Sequence, residues 1–320
     1  MKIPTLAALV FSLASVSPSH AQTYPTKTVR IIVGLAPGGT TDVFTRTLAQ
    51  RLTEAWGQTV IVENRPGASG MIGAEAVAKA APDGYTLLVS PQTSLAVAPA
   101  LYGKAPYDTA KDFAPVSLLG STPLVMIVHP SFAAKTFADF IALARKGTPL
   151  TYGSGGVGSS PHMTGELISA ALGVKMNHVP YKGENPAIAD TIGGQIPIMF
   201  GNLPVALPHV RSGKVLALAT TTARRSPLAP EIPTMSEGGI QDFEMATWYG
   251  MLAPAGTPPE LVARIQRDAA RVLSDSQTRE RLTQMGVDLI LSTPEEFRTY
   301  LNAEIARYTR IIKSAGLKAE

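Results

Sequence analysis

Two glycine-rich segments carry the groups best suited to chemistry in this sequence. The first glycine-rich loop, residues 34–42, is GLAPGGTTD, and the second, residues 153–162, is GSGGVGSSPH. Each follows a short run typical of a strand and precedes a segment with helical spacing of apolar residues. Because the first N–H groups of a helix attract anions and glycine permits close backbone approach, we predict two anion-binding loops. The alternative for the first loop is a plain turn in which Thr40, Thr41 or Asp42 only caps the helix.

Neither loop fits a nucleotide site. The glycine spacing of the first loop imitates a P-loop, but Thr40 stands where the phosphate-binding lysine is required. The glycines of the second loop match G-x-G-x-x-G, yet no acidic residue stands at the end of the next predicted strand, where one would bind a ribose. Glu166 is the only acidic residue between Gly158 and Glu184, and it lies inside the predicted helix. We therefore expect neither nucleotide hydrolysis nor nicotinamide chemistry.

Catalytic and metal-binding side chains are also sparse. The chain has no cysteine and no G-x-S-x-G segment, so the usual signs of nucleophilic catalysis are missing. His162 and Glu166, four residues apart, can pair on one helix face without a metal. The sequence therefore predicts a binding protein without cofactor or metal rather than an enzyme. The histidines outside the N-terminal segment lack the paired spacing of a zinc site; they are His129, His162, His178 and His209.

The N-terminus predicts export. Lys2 precedes an apolar run at 6–14, and Ser19 and Ala21 frame a cleavage site, as in a secretory signal peptide. We predict that residues 1–21 are a signal peptide and that the mature protein works in the periplasm. No later apolar stretch is long enough to cross a bilayer. The formal charge of +4 is spread along the chain, which argues against nucleic-acid binding, and we expect a monomer.

Strand and helix patterns alternate along the chain, which is typical of an α/β fold with a mostly parallel sheet. The alternation stops at a Gly-Ser-Thr-Pro break, residues 120–123, and then starts again, which predicts two α/β lobes with a cleft between them. Near the C-terminus, Thr257 and Thr293 each precede proline and glutamate, a pattern that predicts two helices. The predicted strands are residues 29–33, 59–62, 85–89, 124–128, 150–152, 196–200 and 215–219.

Seven short blocks occur in order along the chain. They are APGGTTD at 36–42, ENRPGASG at 63–70, PDGYTLL at 82–88, YGSGGVGSSPH at 152–162, VPYKG at 179–183, GGQ at 193–195 and WYGMLAPAGTP at 248–258. Together they resemble tripartite tricarboxylate transporter substrate-binding proteins, also called Bug receptors. Leu35 departs from that pattern because relatives commonly have an aromatic residue there, and Pro197 departs because aspartate is common. Leu35 favours a ligand with an aliphatic or aromatic body over a strongly polar one such as citrate.

The resemblance implies a periplasmic-binding-protein fold of two α/β lobes. Residues 22–122 and 247–320 would form lobe 1 and residues 123–246 lobe 2, closing on the ligand about hinges at the two crossings. One ligand carboxylate would lie between the glycine-rich loops, held by backbone N–H groups, hydroxyls and waters. Asp42 would either cap its helix or receive an amino or hydroxyl group. The expected ligand-binding residues are Leu35, Ala36, Gly38, Gly39, Thr40, Thr41, Asp42, Ser90, Gln92, Ser154, Gly155, Ser159, Ser160, Tyr181 and Asn202.

The resemblance also implies a function in uptake. We expect the protein to capture a small carboxylate-containing molecule and deliver it to the membrane subunits of a tripartite tricarboxylate-type transporter. The alternative is a sensory protein that presents the same ligand to a membrane sensor kinase, and the sequence does not separate the two.

Overall fold

The computed structural model describes residues 24–317, so the predicted signal peptide, residues 1–21, lies outside the described residues. Within 24–317 the strands are β1 Val29–Val33, β2 Val60–Asn64, β3 Thr86–Pro91, β4 Phe113–Val128, β5 Leu150–Ser154, β6 Met176–Pro180, β7 Ile198–Asn202, β8 Leu216–Thr220, β9 Ala246–Pro254 and β10 Asp288–Leu289. The α-helices are α1 Thr40–Trp56, α2 Met71–Ala78, α3 Ala98–Tyr102, α4 Phe137–Arg145, α5 Ser160–Leu172, α6 Glu184–Ile192, α7 Leu203–Arg211, α8 Pro259–Leu273, α9 Ser276–Gln284 and α10 Pro294–Ala315.

The strands form a mixed sheet in the order β2-β1-β3-β9-β4-β7-β5-β6, with β8 and β10 also pairing with β4. β1 runs parallel to β2 and β3, and β5 runs parallel to β6 and β7. β4 is antiparallel to β7, β8, β9 and β10. Each parallel group therefore aligns the carboxyl ends of its strands, where the chain enters the following helices.

β4 connects the two parallel groups, and it corrects the prediction of a break at residues 120–123. These residues lie inside one continuous strand of 16 residues. Gly120 and Ser121 pair with both β9 and β10, and this pairing overrides the local preference of the Gly-Ser-Thr-Pro segment for a turn. Pairing with β9 ends at Pro123 and pairing with β7 begins at Leu124. Proline has no N–H for a ladder, so it is tolerated where β4 changes partner.

The C-terminal helices pack on the sheet through an apolar stripe. Phe297, Leu301 and Tyr308 of α10 are buried, and the ring of Phe297 packs edge-on against Trp248 of β9. Gly250 makes room for this contact, since a Cβ there would lie 2.2 Å from a Phe297 ring carbon. No helix in the described part of the chain is long and apolar enough to cross a membrane.

Both predicted C-terminal helices form, as α8 and α10, but a third helix was not predicted. Among the described residues after β9 there are three, because α9 forms between α8 and α10. Thr293 caps α10 through the predicted box, in which its hydroxyl accepts the Glu296 N–H and the Glu296 carboxylate accepts the Thr293 N–H. Thr257 does not cap α8, because its hydroxyl donates to the carbonyl of Pro254 instead.

Candidate functional site

A cleft of about 500 Å³ brings the two glycine-rich loops together. Other walls come from the 182–186 connection after β6, from the ends of β3 and β7, and from the start of β9. The predicted residues that line the cleft are Leu35, Ala36, Gly38, Gly39, Thr40, Thr41, Asp42, Gly155, Ser159, Ser160 and Asn202.

Helix N-termini make up much of the cleft wall. In the described structure α1, α5, α6 and α7 all begin there. The N-cap residues Gly39, Gly183 and Asn202 make no side-chain capping bond, whereas Ser159 caps α5 by accepting the N–H of His162. Each N-terminus favours a nearby anion by about 0.3–1 kcal/mol through its dipole, and its first N–H groups lack partners within the helix. The cleft is therefore suited to a negatively charged ligand.

Asp42 holds the first glycine-rich loop in place. Its side chain is buried, and one oxygen accepts hydrogen bonds from the Gly38 N–H at 2.9 Å and from Arg46 Nε at 3.0 Å. The other oxygen accepts the amide of Asn64 at 2.9 Å. Burial acts to raise the pKa of the Asp42 carboxyl, but the bonds from Arg46, Gly38 and Asn64 hold it below its usual value. These contacts favour the scaffold role for Asp42.

The loop also depends on Gly38, whose φ of +86° lies in the left-handed region. A side chain is strained in that conformation. Gly39 is different because its backbone is extended and a Cβ there would meet nothing within 4 Å. A substitution at Gly39 would therefore fold without strain and place atoms in the cleft.

A buried histidine pair supports the second glycine-rich loop. The rings of His162 and His178 stack with centroids 3.9 Å apart. His162 Nδ1 accepts the Gly158 N–H at 3.0 Å, and His178 Nε2 lies 2.7 Å from the hydroxyl of Ser154. Burial lowers the pKa of His178 to about 4, and burial together with the neighbouring ring lowers that of His162 to about 3.

Both imidazoles are therefore neutral near pH 7. The predicted contact with Glu166 exists at 3.7 Å, but a neutral His162 makes no ion pair with it.

Four predicted ligand-binding residues do not line the cleft. Ser90 is buried and bonds Ser94. Ser154 is buried and accepts the Gly156 N–H at 3.1 Å, and Tyr181 donates to Asp190 at 2.7 Å.

Gln92 connects three parts of the fold. Its amide donates to the hydroxyl of Ser160 at 2.7 Å and to the carbonyl of Ala246 at 2.9 Å, while its oxygen accepts the Trp248 N–H at 2.9 Å. All four of these predicted residues therefore use their side chains in hydrogen bonds within the protein, behind the cleft wall. They do so because they occupy strand and loop positions that face the core.

Two charged residues of the cleft were not predicted from the sequence. Lys182 and Glu184 lie in the connection that leads from β6 into α6, and both line the cleft. The VPYKG block contains Lys182 and ends next to Glu184, which was the one signal in the sequence that this connection matters. Lys182 is exposed, and no described carboxylate lies within ion-pair distance of its ammonium group.

Glu184 packs between the second loop and the end of β7. Its Cγ would lie 3.3 Å from a Cβ at Gly155. One carboxyl oxygen accepts the Asn202 N–H at 3.1 Å, and the other accepts the Asn202 side-chain amide. Thr247 donates to the Asn202 oxygen at 2.9 Å, which connects this wall to β9. Burial raises the pKa of Glu184 to about 7, although the two bonds from Asn202 act to lower it.

Metal ligands do not cluster in this site. Among residues 24–317, no group of three His, Cys, Asp or Glu side chains is placed to hold a metal ion.

Sequence comparison identifies relatives over nearly the full chain. Residues 44–317 match the family model described as "Tripartite tricarboxylate transporter family receptor". The protein BugT of Bordetella pertussis is 37% identical over 305 residues, which cover 94% of this chain and 93% of BugT.

Solved structures agree with this relationship. R. palustris Rpa4515, solved with adipate, is 35% identical with a TM-score of 0.81, covering 92% of this chain and 99% of that one. MatC from Rhodopseudomonas palustris, solved with bound malate, is 33% identical with a TM-score of 0.78, covering 90% of this chain and all of that one. The periplasmic binding protein BugD is 33% identical with a TM-score of 0.78, covering 93% and 100%. The chain therefore has the predicted α/β periplasmic-binding-protein fold and belongs to the tripartite tricarboxylate transporter receptor family, a family of solute-binding receptors that includes the Bug proteins.

Proposed function

We propose that this protein is a periplasmic solute-binding receptor that captures a small carboxylate in the cleft and delivers it to a tripartite tricarboxylate-type membrane transporter. The observation that carries the proposal is that α1 and α6 begin in the cleft without a side-chain cap, beside the two glycine-rich loops. Two structural relatives were solved with the carboxylates adipate and malate, which supports the same ligand class here. The predicted signal peptide supports a periplasmic location.

The carboxylate would bind where α1 and α5 begin. The unbonded N–H groups at the start of α1 and the hydroxyl of Thr40 would donate to it, and a hydrogen bond to a charged group is worth about 1.5–3 kcal/mol. Ser159 would contribute mainly by fixing the backbone of the second loop, since its hydroxyl already caps α5 and donates to the carbonyl of Gly156. Lys182, at the rim of the cleft, would attract anions by its charge but would not itself bind the carboxylate.

The same proposal includes closure of two lobes, residues 22–122 with 247–320 and residues 123–246. It is supported by the change of partner along β4 at Pro123 and Leu124, and by the start of β9 opposite Pro123. Small-angle scattering tests it, because closure predicts a smaller radius of gyration at saturating ligand. An unchanged radius, with superposable crystal structures of both states, would contradict a closing clamp.

The test of carboxylate binding starts with a thermal-shift screen of mono-, di- and aromatic carboxylates. A ligand at 100 times its dissociation constant stabilises its receptor by about 2.7 kcal/mol. Calorimetry then compares the best acid with its primary amide, and we expect the acid to bind at least about tenfold more tightly because only the acid is charged.

Two variants test where the carboxylate binds. Gly39→Val should fold normally and weaken binding by about tenfold or more, because its side chain enters the space of the carboxylate. Thr40→Ala should cost less, since water can replace a hydroxyl. Equal affinity for acid and amide, or wild-type affinity in Gly39→Val, would show that no carboxylate binds between the loops.

A further inference from the structure

Glu184 places a carboxyl group of the protein itself on the wall of an anion-binding cleft. It is the first residue of α6, and its oxygens bind the backbone N–H and side-chain amide of Asn202 at the start of α7. One of the helix N-termini is thus already occupied by an internal carboxylate. Each oxygen accepts a single described hydrogen bond, so both keep acceptor capacity for a ligand.

No positively charged side chain among the described residues pairs with the Glu184 carboxylate. The titratable groups that line the same cleft are Asp42, Lys182 and Tyr249. Asp42 pairs with Arg46, and Lys182 is exposed and forms no ion pair with a described residue. Tyr249 is neutral near pH 7 because burial raises the pKa of its hydroxyl.

The tyrosine that precedes Glu184 in the chain does not bond its carboxylate either. Tyr181, which precedes it, donates its hydroxyl to Asp190 of α6. An ionised Glu184 would therefore repel a second ligand carboxylate and attract a hydrogen-bond donor.

We propose that Glu184 determines specificity: it accepts a hydrogen bond from an ammonium or hydroxyl group of the ligand and disfavours a second carboxylate at that end. The ligand class is then a monocarboxylate that carries an amino or hydroxyl group. This inference rests on the proposed function, because the ligand carboxylate must be fixed at the two loops for its other end to meet Glu184. Burial raises the pKa of Glu184 to about 7, so the discrimination should be strongest above that pH.

The test uses straight-chain carboxylates of four to six carbons whose far end is a methyl, hydroxyl, ammonium or second carboxylate group. Calorimetry at pH 8 on the full mature protein should give about tenfold or tighter binding for the ammonium compound than for the dicarboxylate of equal length. In Glu184→Gln this order should collapse, with the dicarboxylate gaining about tenfold, the ammonium compound losing as much and the methyl compound unchanged. Glu260→Gln is the matched control, since Glu260 lies in the first turn of α8 and does not line the cleft.

A measurement on the wild type alone covers the case of a poorly folded variant. Between pH 8 and pH 6 Glu184 gains a proton, so the affinity for the dicarboxylate should rise relative to that for the methyl compound. If all four compounds respond equally to Glu184→Gln, or their relative affinities do not change with pH, Glu184 does not set specificity while carboxylate binding stands. If no carboxylate of the series binds the wild type, the proposed function and this inference both fail.

Discussion

Replacing Asp42 by asparagine tests whether this residue supports the first glycine-rich loop or contacts the ligand. The buried carboxylate accepts bonds from Gly38, Arg46 and Asn64, whereas asparagine offers one acceptor oxygen and turns an NH₂ group toward donors. Hydrogen bonds to a charged group are worth about 1.5–3 kcal/mol each, and water can replace part of the contact with half-exposed Arg46. We therefore expect the free energy of unfolding to fall by about 2–4 kcal/mol.

Asp139 provides a matched control. It is likewise the third residue of its helix, α4, and it likewise accepts the N–H group four residues earlier, that of Lys135 at 3.3 Å. Asp139 is exposed, so Asp139→Asn should change stability much less. Urea denaturation measures both variants, and calorimetry measures their ligand binding.

The scaffold role predicts that Asp42→Asn loses stability and binds all carboxylates more weakly, because its loop is no longer fixed. A variant with wild-type stability that loses affinity only for amino or hydroxy acids would refute this reasoning. Asp42 would then be a direct ligand contact.

Two further predictions concern the residues that pack behind the second loop. Gly165→Ala should destabilise the protein by about 1–3 kcal/mol, because its Cβ would lie 2.3 Å from the buried ring of Tyr152. The control Gly193→Ala, whose Cβ would have its nearest contact at 3.4 Å, should stay within about 1 kcal/mol of wild type. Equal urea midpoints for the two variants would contradict this. His162 and His178 have folded-state pKa values of about 3 and about 4, below the value of about 6.5 in the unfolded chain. Between about pH 4 and 6.5 the unfolded chain therefore binds more protons than the folded protein. The free energy of unfolding falls as the pH is lowered, by up to about 1.4 kcal/mol per pH unit for each histidine. His178→Asn should show a shallower fall in urea denaturation at pH 6.5 and pH 5, and parallel profiles would contradict the argument.

Local signals account for the parts of the fold and cleft that sequence could predict. Gly39 followed by hydroxyl residues, and Ser159 followed by Pro161, mark helix starts through short-range backbone preferences. The family resemblance and the α/β periplasmic-binding-protein fold are confirmed by the comparisons. The individual ligand contacts remain predictions.

Long-range pairing decides what the sequence could not show. Gln92 bonds Ser160 and Trp248, which are 68 and 156 residues away, so its structural role has no local signature. Glu184 reaches the cleft because β5 and β6 run parallel and bring their following segments to one edge. Residues 120–123 resemble a turn in isolation but extend because β9 and β10 pair with them.

The position of a bound carboxylate is the most direct test of the central claim. A crystal structure with the tightest acid from the screen should show its carboxylate within hydrogen-bond distance of the N–H groups at the start of α1, next to Gly39 and Thr40, and facing Ser160 of the second loop. A carboxylate held by Lys182 at the rim, with both loops unoccupied, would contradict the account.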